Sequence, residues 1–240
     1  MKRPNVVYLL GAGASYSSLP IWKAQGESMR KVSIDVLHNR INGIRTTINE
    51  NQKQILNNNF LNEFFNKLKH FSTKAIEYGS IDIYAKRLTL INNVDELNKL
   101  KHCLSVYFDL WEDFYYILSP HPEKTLNFEN QIPYEKIDKR YFSLLSVLLE
   151  KENDLPKLNQ NVSFLTWNYD LQLESAFETF LPKKKDSIID INDYFKFYES
   201  NDKRKVDVLH LNGFRGCFYE NDNLIETVER KNKTNIDAYL

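Results

Sequence analysis

Three short stretches carry residue types suited to holding and cutting a polar ligand. The first, Gly11-Ala12-Gly13-Ala14-Ser15, follows the apolar run Val6-Val7-Tyr8-Leu9-Leu10. A strand that stops in Gly-Ala-Gly lets backbone N–H groups approach a phosphate with no Cβ in the way. A helix starting there adds its partial positive charge, with Ser15 as N-cap and Pro20 ending or interrupting it. The second stretch is Thr166-Trp167-Asn168-Tyr169-Asp170, at the end of another apolar run. Asn168 offers a donor and an acceptor, which suits a ribose hydroxyl, a carboxamide or a water. Asp170 either contacts a ligand or caps the next helix. The third, His210-Leu211-Asn212-Gly213, ends the run Val206 to Leu211, and its histidine is open to a structural or a catalytic reading.

The elements that position these stretches can be read from hydrophobic periodicity. Residues 5–10 read as a buried parallel strand covered on both faces, and Val162 to Trp167 and Val206 to Leu211 read as two more. Ligands of open α/β sheets sit outside the carboxyl ends of the strands, where all three stretches would lie. Between the first and second strands, apolar residues recur at three and four positions, as in Phe60, Phe64, Phe65, Leu68 and in Leu97, Leu100, Leu104, Tyr107, Phe108, Trp111. A third such pattern runs through Tyr141, Leu144, Leu145 and Leu148, and Pro120 and Pro122 close the helix before it. A helix is expected over Leu171 to Phe180, and the tail after Tyr219 shows no core pattern. The expected fold is α/β, a Rossmann-like parallel sheet with a large helical insertion. Residues 1–25 and 155–220 form its core and 26–154 the insertion, within one domain spanning 1–240.

Composition narrows the function classes. Acidic and basic residues balance at 32 each, so no global field draws the chain to nucleic acid or to an anionic membrane. Two cysteines, Cys103 and Cys217, are too few for a disulfide scaffold or a self-contained four-cysteine zinc site, and no metal is expected. No apolar stretch has the length of a bilayer span, and the expected location is the cytoplasm. Tyr16 occupies the sixth position of the Gly-x-Gly-x-x-Gly dinucleotide pattern, which argues against a redox dehydrogenase.

Taken in order, Gly11 to Ser15, Asn168-Tyr169-Asp170 and His210-Leu211-Asn212-Gly213 resemble the sirtuin-like superfamily, in particular bacterial members that act in anti-phage defence. The match covers these motifs and the layout of the insertion, with a faint echo at Ser80-Ile81-Asp82. The resemblance implies a domain that binds NAD and splits its nicotinamide–ribose bond, depleting NAD in an infected cell. It assigns the dinucleotide to Gly11, Ala12, Gly13, Ala14, Ser15, Pro20, Asn168, Asp170 and Gly213, and the chemistry to Asn168, His210 and Asn212. The family's histidine stands just before the glycine of the third motif, where this chain has Asn212; His210 lies two residues earlier. A deacylase form of the family needs four zinc-binding cysteines. A second reading is a catalytically weak NAD- or ADP-ribose-binding sensor or assembly domain. Family members continue with further strands, so a longer protein or a short member is expected, with a homo-oligomer or a defence partner engaged through regions beyond Leu240.

Overall fold

The computed structural model describes residues 4–20, 22–37, 59–118, 136–185, 187–197, 206–220 and 223–226. In chain order the elements are β1 (Val6–Leu10), α1 (Trp22–Leu37), α2 (Asn59–Tyr78), α3 (Ile81–Leu90), α4 (Val94–Leu118), α5 (Lys139–Leu148), β2 (Leu149–Glu152), β3 (Leu155–Leu158), β4 (Val162–Thr166), α6 (Gln172–Glu178), β5 (Val208–His210), β6 (Cys217–Glu220) and β7 (Asn223–Glu226). The fold is mixed α/β. It divides into two units, Met1–Ser18 with Glu135–Thr234, and Leu19–Tyr134 with Asn235–Leu240. The seams fall at Ser18/Leu19 and Tyr134/Glu135, so α5 and the β2–β3 hairpin belong with the sheet and not, as expected, with a helical insertion over 26–154. Pro120 and Pro122 lie outside the described residues.

The first unit is built on a three-stranded parallel sheet in the order β1-β4-β5. Its inner face packs Tyr8, Phe164 and Val208 against α5, α6 and the segment 188–197. Phe177 and Phe195 stack with ring centroids 4.5 Å apart, an arrangement worth about 1 kcal/mol beyond the area it buries. The other face departs from the expectation of a fully covered strand: Val7 and Leu9 are 61% and 60% exposed, and Leu209 is 51% exposed. Side chains alternate along a strand, so these three project from the face opposite Tyr8 and Phe164.

Two antiparallel hairpins were not expected. In β2–β3, Asn153 and Asp154 both take positive φ (50° and 63°), the left-handed pair that a two-residue hairpin turn needs and that Asn and Asp tolerate. The β6–β7 pair, Cys217–Glu220 with Asn223–Glu226, reaches into the tail after Tyr219, where the polar sequence shows no core pattern.

The second unit holds α1 to α4, whose apolar stripes meet in a core of Met29, Phe65, Leu68, Phe71, Leu100 and Tyr107. Ser80 caps α3 by accepting from the Ile83 N–H. Within this core the Tyr107 hydroxyl donates to Ser28 Oγ at 2.7 Å, and burial pushes the Cys103 thiol up to about 12, leaving it inert. Among the described residues no helix is long and apolar enough to cross a membrane.

At Gly26 α1 packs closely on α2: a Cβ there would stand 3.1 Å from both Ala75 Cβ and Ile76 Cγ1. Gly26→Val should therefore lower stability by about 1–3 kcal/mol through overpacking, read as a reduced midpoint in urea. An unchanged midpoint would contradict this packing.

Candidate functional site at the carboxyl rim of the sheet

Register brings the three motifs together. Leu10 pairs with Thr166, and Thr166 with His210, so all three strands end on one rim. The ladder continues past the strands: Trp167 N–H donates to Leu10 O at 3.2 Å and Leu211 N–H to Thr166 O at 2.8 Å.

The glycine turn differs from expectation in one respect. No α-helix starts at Ser15; a single 3-10 turn covers Ala12–Ser15, and α1 begins only at Trp22. So short a turn has little dipole, and Ser15 is its last residue rather than an N-cap. Gly11 is extended (φ −111°), and neither Gly11 nor Gly13 takes a positive φ. A Cβ added at either meets nothing within 4 Å, and both residues are exposed. Among the described residues nothing in the folding requires glycine at these positions. Gly213 is the opposite case, because its φ of +76° places it in the left-handed region that glycine alone enters freely. Pro20 is buried and belongs to the second unit.

Ser15 is the hub of the site. Its hydroxyl donates to Asp170 Oδ1 at 3.0 Å and accepts from Asn168 Nδ2 at 3.3 Å. The Tyr141 hydroxyl lies 3.0 Å away. With the Ser15 proton on Asp170, Tyr141 must be the donor, and burial with the Asp170 charge pushes the phenol up and keeps that proton in place. Asp170 Oδ1 also accepts from the Gln172 N–H at 3.1 Å, so the residue both opens α6 and enters the site. Asn168 Oδ1 and Asp170 Oδ2 accept nothing from the described residues. Two acceptors are thus left at the rim for donors such as hydroxyls.

A second set of bonds fixes the turn from α5. Asp138 caps that helix, accepts from the Ser17 N–H at 3.0 Å and pairs with Arg140 at 2.6 Å. Burial works against its charge, and Arg140 with the Arg140 and Ser17 N–H groups outweighs it, holding the carboxyl below its usual range. Arg140 Nη2 also donates to Gly13 O at 2.9 Å, which clamps the peptide of the turn. The Gln172 side chain accepts from the Asp138 N–H and donates to Lys136 O, closing the loop before α5.

His210 is more committed than its sequence position suggests. Nδ1 stands 3.1 Å from Asn168 O and Nε2 2.8 Å from Glu174 Oε1, with both side chains sealed from solvent. Asn212 is exposed, and its Nδ2 donates to Trp167 O at 3.2 Å, pinning the third motif to the second. Tyr141, Asp138, Arg140 and Glu174 were missed as site residues. In the sequence Tyr141 reads only as part of a helix's apolar stripe, Glu174 lies unmarked within the helix after Asp170, and Asp138 and Arg140 carry no signal of their own. Among the described residues no cluster of histidine, cysteine or carboxylate side chains is placed to hold a metal ion.

Asp170 is the costly member. Burial, the largest influence, raises its carboxyl from 3.8 to about 6, against the bonds from Gln172 and Ser15. A raised folded-state value means the native state holds the proton more tightly, so stability from this group is lost as pH climbs from 3.8 through 6. Asn keeps an Oδ1 acceptor without the charge. Asp170→Asn should match wild type in stability below pH 4 and exceed it by on the order of 2–3 kcal/mol at pH 8, measured by urea unfolding across pH. A variant less stable than wild type at pH 8 would contradict this. No protein-family model matches the chain, no curated protein matches it, and no solved structure matches its fold.

Proposed function

We propose that the rim binds NAD on a Rossmann-like sheet and that the domain is an NAD glycohydrolase, using water to split the nicotinamide–ribose bond into nicotinamide and ADP-ribose. The observation that carries this reading is the pair Gly11 and Gly13: exposed, of ordinary backbone geometry, and open where a Cβ would stand. Glycine that folding does not require is explained by a ligand whose pyrophosphate comes close to the backbone. Ala12, Ala14 and the Ser15 hub continue that surface. The unpartnered acceptors on Asn168 and Asp170 suit the hydroxyls of the nicotinamide ribose.

Departure of nicotinamide leaves oxocarbenium character on the ribose, and the site must steady that charge and admit one water. Asn168 is the residue to orient ribose or water. Asp170, with its carboxyl near 6, exchanges a proton at neutral pH and is suited to take one from the attacking water. In the cell such turnover would deplete NAD, and the motifs' resemblance to sirtuin-like proteins of anti-phage defence is the basis for proposing that role, with a homo-oligomer or defence partner controlling it.

A specific observation favours a second reading, a sensor that binds NAD or ADP-ribose without cutting it. Both nitrogens of His210 are engaged, and Asn212 stands where the family has histidine, so the third motif presents no free base. Measuring both binding and turnover separates the two.

Gly13→Val should leave unfolding within about 0.5 kcal/mol of wild type, since its side chain meets open space, yet weaken NAD binding at least about tenfold by calorimetry. Wild-type affinity in that variant would remove the main support for the site. Asn168→Ala should lower nicotinamide release by about a hundredfold, followed by chromatography of the products. Tight NAD binding with no release by wild type would select the sensor reading.

A further inference from the structure

His210 and Glu174 form a buried pair that neither the glycine turn nor the ribose acceptors account for. A carbonyl oxygen only accepts, so the contact from Nδ1 to Asn168 O fixes a proton on Nδ1. The contact from Nε2 to Glu174 Oε1 then has two forms: an imidazolium donating to a carboxylate, or a neutral ring accepting from a carboxylic acid. Glu174 Oε2 is buried with no hydrogen-bond partner among the described residues. The ring has a second acceptor at Nδ1, the Asn168 carbonyl, and Asp170 nearby, both of which favour the form with the proton on the ring. The buried carboxylate this leaves needs a compensating charge, and among the described groups that bond to it His210 can supply one.

We infer that Glu174 is a positioning residue: it holds His210 as a doubly protonated ring, whose Nδ1–H pins the Asn168 carbonyl and so fixes the Asn168 amide at the strand end. The chain of contacts runs from α6 through β5 to the end of β4, and from Asn168 Nδ2 to the Ser15 hub. Among the described residues the charged groups acting on the ring are Glu174 and Asp170, and Phe214 packs beside it with centroids 5.2 Å apart. Burial alone would lower the His210 value; Glu174, by charge and by hydrogen bond, then the Asn168 carbonyl and Asp170, raise it above the ordinary one. On this assignment His210 is not the base that replaces the family's histidine. It is a fixed cation that sets the geometry of its neighbour.

The effect on turnover rests on the NAD reading, whereas the protonation state of the ring does not, and two measurements keep them apart. Ring 15N–1H spectra of the whole chain from pH 5 to 9, with the His210 signals identified by their loss in His210→Gln, report both nitrogens directly. Wild type should lose its second ring proton at a higher pH than an ordinary imidazole does, and Glu174→Gln should move the titration down by at least about one pH unit. A wild-type ring that loses its Nε2 proton near pH 6.5, its ordinary midpoint, would overturn the inference, as would an unshifted titration in Glu174→Gln. Should Glu174→Gln fail to fold, the wild-type titration still decides. Nicotinamide release in Glu174→Gln should fall about tenfold or more, with KM for NAD changed less than kcat. Full turnover in that variant would overturn the positioning role. If wild type neither binds nor cuts NAD, the NAD reading fails while the ring spectra still judge Glu174.

Discussion

The site depends on one hydroxyl. Ser15 Oγ joins three parts of the chain that are far apart in sequence: the turn after β1, the helix α5 through Tyr141, and the end of β4 through Asn168 and Asp170. Its single proton goes to Asp170, so Tyr141 and Asn168 must both donate to it, and the direction of every bond in the cluster follows from that choice. A buried carboxyl is costly to keep charged. Its retention here, beside a second buried carboxyl at Glu174, is the pattern of a functional site and supports the proposal made for this rim.

Parallel register is what makes such a hub reachable. Because Leu10, Thr166 and His210 lie across from one another, the residues following each strand meet at one rim even though 155 positions separate Ser15 from Asp170. The chain then secures the turn twice, by the hub and by the Asp138–Arg140 pair that holds the Gly13 carbonyl. Rigid backing leaves the exposed side of Gly11 and Gly13 free to meet a ligand, which is the arrangement preorganised binding requires.

Strands β1, β4 and β5 and the helices α2, α4, α5 and α6 were legible because continuous or periodic apolar residues mark them. The hairpin β2–β3 was hidden by its charged residues Glu150, Lys151 and Glu152, although Asn153-Asp154 was an available turn signal. The exposure of Val7 and Leu9 was not legible at all, since apolar letters do not say whether a second layer covers them. In the site, glycine, asparagine and histidine were found by type and by position at strand ends. Tyr141, Arg140 and Glu174 were not, because their roles come from contacts spanning 36 to 127 positions. The N-cap role expected for Ser15 failed for a related reason: tertiary partners, not a helix end, took up its hydroxyl.

The central claim, that the exposed glycine turn and the Asn168–Asp170 corner hold one dinucleotide, is tested most directly by an experimental structure with ADP-ribose bound. The pyrophosphate should lie against the backbone of residues 11–13, with a ribose hydroxyl within hydrogen-bond reach of Asn168 Oδ1 or Asp170 Oδ2. Density for the ligand on any other surface, or none at saturating concentration, would contradict it.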